Sequence, residues 1–172
     1  MARRPQFVLD AAPLIALAAA GALDRILALD ARFLVAEEVR DEVIGTAGQE
    51  RRPESTAVEE RIREGEIEVA RVRDEGLLRR VRENARLSSA DCASLCLALE
   101  RGALIADDRD LRAAARGLGA DVGGSLFLLA LGVDQGLSTG KEAVATVEKM
   151  VAAGWYCSPA LLKGFTDAMV GK

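Results

Sequence analysis

The sequence predicts an α/β fold, a three-layer α/β/α sandwich around a central parallel sheet. Three observations carry this expectation. Short apolar runs, at Phe7-Val8-Leu9, at Phe33-Leu34-Val35 and over residues 103–106, have the length of buried parallel strands. Segments with helical periodicity and capping residues separate those runs. Half the residues are hydrophobic but only 3% are aromatic, so Ala, Leu and Val must build the core, which suits helices packed on a small sheet.

The elements follow in order. Phe7-Val8-Leu9 ends in Asp10, and Pro13 fits the first turn of a helix that runs to about residue 20. Gly21 breaks it, and a second short helix occupies residues 22–29 before the strand at Phe33-Leu34-Val35. Residues 37–44 form a helix with Val39 and Val43 on one face. Residues 45–55 read as a loop, 57–63 as helix and 67–72 as a strand with alternating apolar positions. A charged helix covers 75–85. Ser88 or Ser89 caps the next one, which runs to Arg101 and stops at Gly102.

The strand at 103–106 leads into the acidic run Asp107-Asp108-Arg109-Asp110. A helix follows over 111–118, then a short strand within 121–125 and a buried apolar helix over 126–131. Residues 141–153 form an amphipathic helix with Val144, Val147 and Val151 on one stripe. Trp155-Tyr156-Cys157 is short and extended, and Ser158-Pro159 starts the last helix. The 172 residues are read as a single domain, 1–172, with a C-terminal helical extension from about residue 141.

Composition narrows the chemistry. The chain has no histidine, which excludes Ser-His-Asp and Cys-His mechanisms and any His-ligated zinc. Three cysteines make no disulfide framework; Cys92 and Cys96, one helical turn apart, read as small core residues, and Cys157 as structural. No apolar run is long enough to span a membrane, no signal-peptide layout is present, and a cytoplasmic location is expected. The net charge of −4 does not favour nucleic acid for the chain as a whole. The distribution is uneven, however. Every Arg lies at or before Arg116 and every Lys at or after Lys141. The arginines between Arg51 and Arg86 alternate with glutamates, either as a solvated face laced with ion pairs or as a rim that steers phosphate.

Against that background four carboxylates stand out: Asp10 in VLDAAPLIALA, Glu42 in EEVRDEV, Asp91 in LSSADCASLCLALERG and Asp108 in LIADDRDLRAAARGLGADVGGS. Asp10 and Asp108 follow strands, at the carboxyl edge where open α/β sheets bind ligands. Oxygen donors without imidazole or thiolate select hard divalent cations. Such ions offset charge in phosphodiester hydrolysis. Singly, each acid also has a structural reading. Asp91 suits the first turn of a helix, Asp108 can cap the helix after it, and Glu42 can pair with Arg40.

Taken together, these stretches resemble the PIN domain family. GWYCSPALLKGF is similar to the closing segment of a prokaryotic PIN-like subgroup, many of whose members are related to VapC-like toxins of toxin–antitoxin pairs. The resemblance covers most of the chain and is weakest over residues 45–85. It implies a nuclease that uses Mg²⁺ or Mn²⁺, with RNA as substrate. It implies Asp10, Glu42, Asp91 and Asp108 as catalytic acids: Asp10 and Asp91 as direct metal ligands, Asp108 at a second metal or a water, and Glu42 on the attacking water. Asp107, Asp110 and Ser125 are supporting candidates. An antitoxin protein is an implied partner, and a homodimer is a further option for the apolar C-terminal helices.

Two positions depart from the family pattern, where Ala12 and Ala106 replace common hydroxyl residues. Lost hydroxyls remove hydrogen bonds that orient carboxylates. They motivate an alternative, a weak or inactive PIN module that binds RNA or a protein. A phosphoacceptor receiver domain lacks its Lys after a late strand. A dinucleotide site is excluded because Gly117, Gly119, Gly123 and Gly124 follow a helix instead of joining strand to helix.

Overall fold

A computed structural model describes residues 4–45 and 52–171. Five strands form one sheet: β1 (Gln6–Leu9), β2 (Arg32–Ala36), β3 (Ile67–Ala70), β4 (Ala103–Ile105) and β5 (Val122–Gly123). All neighbours are parallel and the order is β3-β2-β1-β4-β5. The chain therefore builds outward from β1 to one side, then crosses back to build the other. The reversal falls between β1 and β4, and at such a switch point the flanking loops diverge and leave a crevice. β1 and β4 are in register from Phe7↔Ala103 to Leu9↔Ile105, and the ladder is extended by Asp10 N–H donating to Ile105 O at 2.9 Å.

The central strands read as continuous apolar runs because helices cover both faces. Val8, Leu9, Leu34, Val35, Leu104 and Ile105 have no exposed surface. On one face α6 (Ser89–Arg101) lies against β1, β2 and β4, flanked by α5 (Glu75–Arg82) and α7 (Arg109–Gly117). Its buried residues include Cys92 and Cys96, which are free thiols in the core as expected. The other helical layer starts with α1 (Ala11–Ala19), which packs on α4 (Pro53–Arg63) and α9 (Gly140–Ala152). There α2 (Leu23–Leu27) meets α8 (Ser125–Asp134), and α9 also holds α10 (Pro159–Met169). The remaining helix, α3 (Glu37–Ile44), touches both α1 and α6. Among the described residues no helix is long and apolar enough to cross a membrane.

Several boundaries differ from the sequence expectation, each for a local reason. The loop expected at 45–55 is cut short because Pro53 opens α4; residues 46–51 of that loop lie outside the described residues. The helix expected at 111–118 begins at Arg109, since Asp108 caps it. The strand expected within 121–125 shrinks to two residues because α8 starts at Ser125. In α9 the buried stripe is Ala143, Thr146, Val147 and Met150, whereas Val151 is exposed. The helix expected to be wholly buried, α8, turns Phe127 outward, at 45% exposure.

Gly102 ends α6 for a reason the sequence does not display. Its φ of 171° is ordinary extended backbone. A Cβ there would lie 2.2 Å from the Gln6 carbonyl oxygen, so the α6–β4 corner sits directly on the start of β1. Gly102→Ala is therefore expected to destabilise the protein by about 1–3 kcal/mol, the usual cost of forced overpacking. Gly117→Ala, whose Cβ meets nothing within 4 Å, is the control and should be neutral or slightly stabilising. Chemical denaturation of the two variants checks the contrast.

Candidate active site

Asp10 occupies the N-cap position of α1, yet its side chain makes no capping bond. It turns into the molecule and is 4% exposed. Its Oδ1 accepts a hydrogen bond of 3.1 Å from the buried hydroxyl of Ser94 on α6. Asp91 sits one turn earlier on that helix. There it completes a capping box: Ser88 N–H donates to Asp91 Oδ2 at 2.7 Å, and Asp91 N–H donates to Ser88 Oγ at 3.0 Å. Asp91 Oδ1 has no hydrogen-bond partner among the described residues. The structural reading of Asp91 is thus real, and it leaves one oxygen over for another task.

Glu42 completes the group from the last turn of α3. It is exposed, and it is not a partner of Arg40, which instead grips Asp41 at 2.7 and 2.8 Å. The three carboxylates act on one another. Burial, and then the charge of Asp91, raise Asp10 from the ordinary 3.8 to about 7; Ser94 opposes this and Glu42 adds to it. Partial burial and Asp91 also raise Glu42. These are three like charges at the switch point of the sheet, which is the electrostatic pattern of a functional site.

The acids after β4 are placed differently. Asp108 is exposed and caps α7, accepting from Leu111 N–H at 2.8 Å. Asp110 is exposed in the first turn of that helix. Asp107 faces the β5 side. It accepts from Ser125 N–H at 2.8 Å, from Ser125 Oγ at 2.5 Å and from Trp155 Nε1 at 2.8 Å. None of the three is among the charges that shift Asp10 or Glu42. The structure therefore joins Asp10, Glu42 and Asp91, and sets Asp107 with Ser125 as a separate anchor for the C-terminal segment.

Sequence reasoning missed two of these groups. Ser94 was legible as the one polar interruption of the apolar run from Cys92 to Leu99, three positions after Asp91. It brings a hydroxyl to Asp10 where Ala12 has none. The bond from Trp155 to Asp107 spans 48 residues and had no local signal.

Arginines lie on α5, which packs against the helix that carries Asp91. A cavity of about 420 Å³ between α3 and α5 is walled by Glu37, Glu38, Arg71, Arg79 and Arg82. Arg82 reaches Glu38 and, at the start of the helix that carries Asp91, the Ser89 hydroxyl, at 3.5 Å each. The ion-paired reading holds for part of the arginine run: Arg61 meets Asp24, Glu64 and Glu66, and Arg71 meets Glu37. Arg79 has no such partner among the described residues.

A family model described as a PIN domain matches residues 6–169. The chain belongs to the PIN domain family. No curated protein matches it. PIN domains are in general nucleases that use divalent metal ions and bind nucleic acid. The donor chemistry of Asp10, Asp91 and Glu42 fits such an ion, since all are hard oxygen ligands that a cation would relieve of mutual repulsion. Among the described residues no three carboxylates or thiolates converge tightly enough to enclose an ion. Mg²⁺ does not need that, because it is held by one or two carboxylates and keeps several waters.

The buried carboxylate makes this PIN domain sensitive to pH. Folded Asp10 keeps its proton up to about pH 7, whereas the unfolded chain releases it near 3.8. Protonation therefore favours the fold, fully below the unfolded value, and that contribution is lost as pH rises through about 7. The gap corresponds to roughly 4 kcal/mol at most. In metal-free buffer, Asp10→Asn should gain stability relative to wild type as pH rises from about 4 to about 8. Urea titrations across that range check it; parallel curves for the two proteins would contradict the burial argument.

Proposed function

We propose that this PIN domain is a Mg²⁺- or Mn²⁺-dependent ribonuclease whose site is Asp10, Asp91 and Glu42. The supporting observation is the crowding of three carboxylates at the sheet's switch point, one of them buried and none ion-paired among the described residues. Asp10 and Asp91 would hold the ion, Asp10 oriented by Ser94 and Asp91 by its capping box. When bound, the cation supplies positive charge against the developing phosphorane and acidifies a nearby water. Glu42 is exposed, and its raised proton affinity suits it to take a proton from the attacking water. Asp108 would support the site from the end of the adjacent strand with the oxygen that its capping bond leaves over. Arg79 and Arg82 stand where they would draw the phosphate backbone toward the carboxylates. RNA is taken as the substrate from the resemblance to RNA-cutting members.

The test is cleavage of a mixed RNA pool with Mg²⁺ or Mn²⁺, with Asp91→Asn run beside the wild type. Asparagine can still accept the Ser88 N–H, so the variant should fold and melt like the parent. Its cleavage should fall by about 100-fold or more, and the rise in melting temperature produced by the cation should shrink. Full activity in Asp91→Asn would sink this assignment. Salt-sensitive RNA binding with no metal-dependent cleavage would favour the non-catalytic module instead.

A further inference from the structure

A second cavity opens on the far side of β4 from the acidic group. Its volume is about 510 Å³, and its walls come from the ends of β4 and β5, from α7 and α8, and from the segment before α10. The chain has six aromatic residues, four Phe, one Trp and one Tyr. Three of them, Phe127, Trp155 and Tyr156, line this one cavity. Core packing accounts for two of them in part, since Phe127 meets the buried Phe7 ring edge-on at 5.8 Å and Trp155 packs against the core, but Phe127 is still 45% exposed and Tyr156 is 82% exposed.

The cavity is also braced. Asp107 fixes the indole of Trp155 through Nε1 and is itself held by two hydrogen bonds from Ser125. Gly123 and Gly124 let the walls close: a Cβ at Gly123 would lie 2.7 Å from the Phe127 ring, and one at Gly124 would lie 2.8 Å from Asp107 Oδ1. Arg112 braces the floor by donating to the Ala106 and Gly123 carbonyls at 2.7 Å each. Arg109 lines the rim, exposed, with no ion-pair partner among the described residues.

A fixed indole, an exposed tyrosine ring and a guanidinium without an ion-pair partner among the described residues match the chemistry of a single-stranded nucleic acid, whose unpaired bases stack and whose phosphates meet arginine. The position agrees. The cavity borders β5 and Asp10 ends β1, with β4 between them, so they stand about two strand spacings apart, roughly 10 Å, on the same carboxyl edge. We propose that this cavity receives an unpaired base of the RNA strand whose backbone lies at Asp10 and Asp91. The inference rests on the nuclease reading and adds to it a defined place for one base of the bound strand.

The test is anisotropy of a fluorescein-labelled single-stranded oligoribonucleotide in EDTA, where nothing is cut, against the same sequence as a duplex. Wild type should bind the single strand more tightly. Tyr156→Ala should weaken that binding by about five-fold or more, the lower end for one stacked base, while Tyr156→Phe keeps it. Quenching of the single tryptophan, Trp155, should accompany binding. Equal affinity of wild type and Tyr156→Ala would overturn the stacking site, and continued metal-dependent cleavage would then leave the nuclease reading standing. Loss of self-association in Tyr156→Ala by sedimentation, with RNA affinity unchanged, would also overturn it and assign the face to a protein contact. A Tyr156-dependent affinity in a protein that cuts no RNA would uphold the site and overturn the cleavage reading.

Discussion

Holding a carboxylate inside the end of the central strand is unfavourable, because burial and two neighbouring acids all oppose its charge. The fold tolerates Asp10 because the surrounding frame is stiff. Its N–H extends the β1–β4 ladder, its oxygen meets Ser94, and α1 and α6 pack apolar surface on either side. A looser frame would relieve the repulsion by letting the acids part. The site is thus paid for by the packing of Ala, Leu and Val that makes up most of the interior.

The topology decides which acids meet. Asp10 and Asp91 come from elements 81 residues apart, and neither approaches the other through any local turn. They meet because β1 is central and α6 crosses over it toward β4. Asp107 follows the neighbouring strand but points to the opposite side of β4, so its hydrogen bonds serve the C-terminal segment. One sheet edge therefore carries two polar centres with separate partners.

Much of this was legible in the sequence, and the limits are physical. Apolar runs marked β1, β2 and β4 because strands covered on both faces need no alternation. Capping residues marked the starts of α6 and α10, where Ser88 and Ser158 accept from the N–H groups of Asp91 and Leu161. The two-residue strand β5 was blurred because its length leaves no periodicity to read. Asp10, Glu42 and Asp91 could be picked out as candidates, but their grouping apart from Asp107 and Asp108 depends on side-chain direction, which spacing does not encode. Ser94 shows the same limit. A serine inside a helix has many uses, and only the crossing of α6 over β1 points it at Asp10.

The contact between Gly102 and Gln6 lies at the opposite end of the sheet from the carboxylates. It joins the base of β1 to the base of α6, whose 13 residues span about 20 Å. At the other end of those two elements stand Asp10 and Asp91. Between those ends α6 packs along β1, β2 and β4, so the glycine seats one end of a helix whose other end carries Asp91. A side chain added at residue 102 would press on the backbone at the base of the strand that ends in Asp10.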